Sequence, residues 1–448
     1  MTFLLLLLTG LIPFNASCEY TGGQAGKGAT LTAFGCVTAG NTALDASGNM
    51  QILMAAYDEA GQFLWTDSFY QGQSSEILAV QPWSGGLLFT GSWSDPSTGS
   101  NALAYAVSPD CQKIWSYSLE LDGLDRFTTA AQGSDGTIVC AGRTNSFGAG
   151  GCDVLMVALD QSGTELWRKV YGTPGEEAAY HISACSDGGY VLACQAMSWG
   201  PGLGDYWIIR TDNAGDTLWT GTYGGPEFEY PWRVEQCGDN FYVAGNTLSY
   251  GAGSYDWWIL KLDSSGNMIW DTAWGFKNTD NCMALTVRNG EAVVGGASES
   301  VLNQFEATIV VFDEEGTSTE EWYYEPAMIR SIETLENNGF LVGGVLYGSD
   351  SDLWAMCTDS LGNSPELGIS YDVPSPGITL LGNPVSMSVE IRVLDDSSTI
   401  TISDISGRIA ATVQVSSETS ILDVSNLPAG IYSVLSSNGG VTRMAVLR

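Results

Sequence analysis

LDQSGTELW, residues 159–167, is one copy of a phrase that recurs along this 448-residue chain. Written as Asp-x-x-Gly-x-x-x-Trp, it runs from Asp58 to Trp65, Asp160 to Trp167, Asp212 to Trp219 and Asp263 to Trp270. Degenerate copies end at Trp115, where Ser108 and Cys111 replace Asp and Gly, and at Trp322, which follows Asp313 and Gly316 with two residues inserted. The tryptophans recur every 50 to 52 residues. Such regularity marks one structural unit used repeatedly.

Each period holds four strand-sized pieces. A moderately polar one comes first, then a Gly-rich one such as DGGYVLAC (187–194), an aromatic one such as DYWIIRTD (205–212), and the piece that Trp opens. Four short strands per period of this length form the blade of a β-propeller. Gly-rich strands start near Ala29, Gly85, Asp135, Asp187, Asp239, Asn289 and Asn337, which predicts an all-β, seven-bladed ring, or six blades if the first or last copy is vestigial. The seventh copy, opening at Asp359 and Gly362, stops before any tryptophan. Glu19-Tyr20-Thr21-Gly22-Gly23 resembles the end of a Trp-opened strand, so the N-terminus is expected to supply the missing outer strand and remove an exposed edge.

Within the phrase, Asp accepts backbone N–H bonds while Gly takes positive φ, closing a tight hairpin. The indole is expected to pack between neighbouring blades, which makes the phrase scaffold. It resembles the tryptophan-docking repeat of quinoprotein-type propellers, with one residue fewer between Asp and Gly. It lacks the Asp-x-Gly of the sialidase Asp-box, and the chemistry of neither family is carried over.

Asp and Glu number 51 against 16 Lys and Arg, a formal charge of −35. That field repels polyanions and argues against a nucleic-acid partner or an anionic membrane. The apolar start MTFLLLLLTGLIPFNASC is too short for a bilayer span and reads as a signal peptide over residues 1–17, with no transmembrane span elsewhere. Ala16-Ser17-Cys18 also resembles a lipoprotein cleavage box, which leaves a second surface anchor open. Ten cysteines show no CxxC pair, and buried thiols or disulfides both fit an exported chain.

After a propeller over 18–363, SPELGISYDVPSPG (364–377) reads as a linker, and residues 378–448 as a small β-sandwich of alternating strands. Asn383-Pro384, Asp404, Gly407-Arg408, Leu427-Pro428, Gly430 and Tyr432 follow in order. This segment resembles the C-terminal sorting domain of type IX secretion in Bacteroidota and related bacteria. The resemblance implies secretion or display at the cell surface, with the secretion and sorting machinery as partner.

Chemistry within the ring is sparse. Registering the blades on one another places Asp125, Glu177, Glu229 and Asp280 at one repeat position, with Glu76 one place later. A circle of carboxylates at the channel mouth would attract Ca²⁺ or a cationic ligand, and no other cofactor is expected. The alternative is that each caps backbone N–H groups. His181 and Arg233 share a second repeat position that faces the pore or fills a polar gap. The loops Ser146 to Asp153, Ser198 to Asp205 and Ser249 to Asp256 are Gly-rich turns or calcium loops, with Trp199 and Tyr250 beside them for a glycan ligand. The expected function is a surface or secreted binding or structural module for a glycan or protein. A hydrolase or lyase acting on polysaccharide through mouth carboxylates is the alternative.

Overall fold

The computed structural model describes residues 14–19, 24–32, 35–42, 51–58, 62–69, 74–95, 99–108, 112–197, 199–299, 305–324, 327–347, 351–364, 370–372, 378–381, 388–393, 398–404, 408–415, 419–428, 430–436 and 441–446. Among them every regular element is a strand. Seven antiparallel sheets follow one another in sequence, each taking four consecutive positions of the repeat. Blade 4 shows the pattern: Glu177–Ala184 innermost, then Tyr190–Ala196, Asp205–Thr211 and outermost Thr217–Tyr223. The first Gly-rich strand begins at Gly35 rather than near Ala29, which belongs to the strand inside it.

The two middle strands of blade 4 are buried at every residue because a neighbouring blade covers each of their faces. They read as continuous apolar runs for the same reason. The core accordingly lies between blades. Seven hydrophobic clusters each join one blade to the next. One of them sets Tyr57 and Leu53 of blade 1 against Leu341 and Leu353 of blade 7, closing the ring.

Blade 7 takes its outer strand from the N-terminus, as expected, but not from the stretch 19–23, of which residues 20–23 lie outside the described residues. The strand is Phe14–Glu19, which pairs antiparallel with Ser351–Cys357. Its other edge is covered in parallel by Ser370–Asp372, so neither strand is left unpaired on that side. This closing strand begins inside the segment expected as signal peptide. Among the described residues no helix is long and apolar enough to cross a membrane.

The repeat phrase locks adjacent blades. Asp212 Oδ1 accepts the N–H groups of Ala214 and Asp216 at 2.9 and 2.8 Å, and Gly215 takes φ of 78°. The preceding blade's Trp167 stacks on that glycine. Trp115, Trp219, Trp270 and Trp322 sit in the same way on Gly163, Gly266, Gly316 and Gly362. Asp160 and Asp263 close their hairpins as Asp212 does, and Asp58 accepts from Gln62 at 2.8 Å. The eight described cysteines are free thiols, all but Cys237 buried.

Toward the C-terminus, Ile378–Leu381, Ser388–Val393 and Thr419–Asp423 form one sheet. Ile409–Val415, Ser398–Asp404, Gly430–Ser436 and Val441–Val446 form another. Tyr432 is buried and its hydroxyl donates to the Pro428 carbonyl at 2.9 Å, while Arg408 is exposed. Asn383, Pro384 and Gly407, with the side chains of Trp65, Cys18 and Asp404, lie outside the described residues.

Candidate functional site

Every innermost strand carries a β-bulge at the same place. The register slips between Gly26 and Gly28, Ile77 and Ala79, Phe127 and Thr129, Ala179 and His181, Pro231 and Arg233, Cys282 and Ala284, and Ile329 and Ser331. A bulge leaves one residue unpaired and re-aims its side chain. The seven skipped residues are Lys27, Leu78, Thr128, Tyr180, Trp232, Met283 and Arg330. All seven line one cavity of about 200 Å³ at the channel mouth, together with Arg126 and Arg233. The backbone there repeats sevenfold while the side chains do not.

Five of the chain's 16 basic residues gather at this mouth: Lys27, Arg126, Arg233 and Arg330 in the cavity, and Arg143 beside it. Glu76 acts on Arg126 and Glu235 on Arg233 by charge alone, without an ion pair to either. Lys27 pairs with Glu76 at 3.6 Å. Among the described residues Arg126, Arg143 and Arg330 form no ion pair, and the Nε of each is buried without a hydrogen-bond partner. The indole Nε1 of Trp232 is likewise unpartnered. Arg233 spans the channel, donating to the carbonyls of Trp232 and Arg330 at 2.9 Å each.

Burial lowers the pKa of Arg330, and of Arg126 with further help from Arg143. It lowers that of Lys27 as well, against the pull of Glu76, and brings Arg233 to about 10. Burial disfavours the charged form of each of these groups, and a bound anion would offset that cost. Past the bulge, toward the far ends of the innermost strands, a cavity of about 370 Å³ is lined by His181, Ser183, Glu235 and Glu333. Burial pushes Glu235 up to about 7, and its Oε2 accepts from Ser183 Oγ at 2.8 Å. His181 is driven down to about 3 by burial and by Arg233, so it is neutral, its Nδ1 beside the Val234 backbone.

The acidic residues singled out from the sequence sit just ahead of the bulges, and Asp125 lines the pocket beside the cavity with Glu76, Arg126 and Arg143. Asp125, Glu177, Glu229 and Asp280 are buried. Glu177, Glu229 and Asp280 accept the N–H groups of Thr173, Gly225 and Phe276 at 2.9, 3.0 and 2.7 Å, and Asp125 accepts from Ser146 Oγ at 2.7 Å. Their single repeat position makes them caps on the connection between blades. Glu76, one residue later, falls on the opposite face of its strand and reaches the mouth beside Lys27. Asp153, Asp205 and Asp256 close their own Gly-rich loops by accepting from Gly150, Gly202 and Gly253 at 3.2, 3.1 and 2.9 Å. Among the described residues no three His, Cys, Asp or Glu side chains are grouped to hold a metal ion.

His181 and Arg233 do share one position, the first after the bulge, and both reach the channel. Sequence reasoning passed over Lys27, Arg126, Tyr180, Trp232 and Arg330. Their only signal was the unlike residue types at one repeat register.

Residues 382–445 match the secretion system C-terminal sorting domain, within the segment expected for it. The chain is therefore a propeller protein destined for secretion to the cell surface or beyond, and its C-terminal domain engages the secretion machinery. No curated protein sequence matches the chain. Among solved structures it is similar to PorZ, a bacterial surface component of the type-IX secretion system of Porphyromonas gingivalis. That likeness has 11% identity and a TM-score of 0.38, covering 92% of this chain and 68% of that one. The Dos1 propeller gives 11% and 0.45, covering 82% and 100%. Polysaccharide lyase Uly1 gives 9% and 0.46, covering 78% and 98%. At these values nothing of their activities is carried over, and the seven-bladed ring rests on its own sheets.

Proposed function

We propose that this protein is an exported binding module whose central channel mouth holds a carboxylate-bearing ligand. The observation that carries the reading is the sevenfold bulge, which aims Lys27 and Arg330 into one cavity with Arg126 and Arg233. Arginine forks match carboxylates two N–H groups at a time, and unpartnered buried Nε groups are costly until an acceptor arrives. Capping by the acidic residues at the repeat position, rather than their convergence, also favours binding over catalysis.

Titration calorimetry with glucuronate, against glucose as the neutral control, tests it. Binding of glucuronate alone is expected, with affinity falling at least tenfold in Arg126→Gln/Arg330→Gln. Equal affinity of that variant and the parent would sink the reading.

A second reading, cleavage of polysaccharide through channel carboxylates, is favoured by Glu235, whose buried carboxyl titrates near 7 beside Ser183. It requires new reducing ends or unsaturated products from a uronate polymer, lost in Glu235→Gln. Intact polymer after prolonged incubation excludes it.

A further inference from the structure

The connections that surround the cationic mouth carry exposed aromatic rings on the side of blades 4 to 6. Trp199 lies between the second and third strands of blade 4, Tyr250 at the matching place in blade 5, and Phe276 between blades 5 and 6. They are 36, 40 and 43% exposed. Each is held by an inner ring: Trp199 by Trp207 at 5.3 Å, Tyr250 by Trp258 at 5.2 Å, Phe276 by Trp274 at 5.4 Å. Tyr250 is further fixed by its hydroxyl, which donates to the Gly224 carbonyl at 3.1 Å. Rings this exposed yet this constrained lose little freedom when a ligand stacks on them.

A second set of rings lies on the innermost strands of blades 4 and 5 and the connections beside them. Tyr180 and Trp232, both bulge residues, meet edge to face at 5.0 Å. Tyr230, on the same strand as Trp232, stacks on Phe228 at 6.1 Å and meets Tyr255 edge-on at 5.9 Å.

We infer that the ligand is a glycan chain, with one carboxylated sugar seated in the cationic mouth and its neighbouring sugars laid over Trp199 and Tyr250. The inference rests on the carboxylate-binding reading above and names its ligand class. The face of a pyranose ring presents C–H groups with partial positive charge, which meet the electron-rich face of an aromatic ring, while the hydroxyls stay in water. The chain's charge of −35 selects among acidic glycans. A densely charged polymer would be repelled, whereas one with neutral sugars between its carboxylates places single charges in the well and little charge elsewhere.

The test uses the full chain with three probes: glucuronate, a hyaluronan hexasaccharide with one carboxylate per disaccharide, and neutral chitohexaose. The hexasaccharide is expected to bind at least tenfold tighter than glucuronate, and chitohexaose at least tenfold weaker than the hexasaccharide. Trp199→Ala/Tyr250→Ala should bring the hexasaccharide down to the level of glucuronate without changing glucuronate itself, and Trp199→Phe/Tyr250→Phe should restore most of the difference. An unchanged thermal midpoint shows that the variants keep the fold. If hexasaccharide and glucuronate bind alike, the glycan platform is overturned while the carboxylate well stands. If neither binds, both fall.

Discussion

The indole of Trp219 lies so close to Gly266 of the next blade that a Cβ on that glycine would come within 2.8 Å of Cε3. Gly266 takes φ of 83°, and Trp219 Nε1 donates to the Ser264 carbonyl of the same turn at 2.9 Å. One tryptophan thus reads both the shape and the polarity of its neighbour's hairpin. Gly266→Ala should destabilise by about 1–3 kcal/mol, from positive φ and the clash together. In a double-mutant cycle by denaturant unfolding, that cost should shrink when Trp219 is already Ala. Additive costs would show that the contact does not couple the blades.

Burial, reinforced by the neighbouring Asp256 carboxylate, pushes Asp280 up to about 6. A folded pKa above the unfolded one means that the native state keeps a proton which the unfolded chain has lost. The associated stability is present below about pH 4 and disappears as pH rises through about 6. Asp280→Asn should therefore flatten the decline of stability between these values, by on the order of 1–3 kcal/mol. Unfolding curves at pH 4, 5, 6 and 7 check both the sign and the window.

Glu76 is the carboxylate that competes for Lys27, at 3.6 Å. Glu76→Gln should raise affinity for glucuronate several-fold and steepen its dependence on salt, because one more cation is left for the ligand. Weaker binding would mean that Glu76 positions Lys27 rather than competing with the ligand.

The ring is closed by a strand from the other end of the chain. Disrupting the pairing of Phe14–Glu19 with Ser351–Cys357, for example by Ser17→Pro, removes a ladder donor and should lower the thermal midpoint. The loss should be confined to blade 7, so hydrogen exchange is expected to quicken first in Phe340–Tyr347 and Ser351–Cys357. Uniform quickening around the ring would mean that closure is a global constraint.

In the sorting domain, Tyr432→Phe deletes the hydrogen bond to Pro428 while keeping the buried ring. A loss of about 1 kcal/mol is expected, with export reduced but not abolished. Tyr432→Ala should leave the chain in the cell. Immunoblots of medium, surface and cell fractions separate these outcomes.

The repeat interval determined the blade as the unit and the order of strands within it, because a blade buries its faces only against copies of itself, while the seventh blade and its closing strand Phe14–Glu19 came from the pairing of the two chain ends. Spacing alone thus dictated a ring. The same logic misdirects a search for function: residues that recur at one register, such as Glu177 and Glu229, recur because every blade needs that cap. What only the tertiary structure decided is where the bulge falls. One skipped residue reverses the alternation of a strand, and so Lys27 and Arg330, some three hundred residues apart in the chain, converge on one cavity. Neither belongs to any recurring pattern. A channel built from seven different side chains on seven equal backbones leaves no period to find.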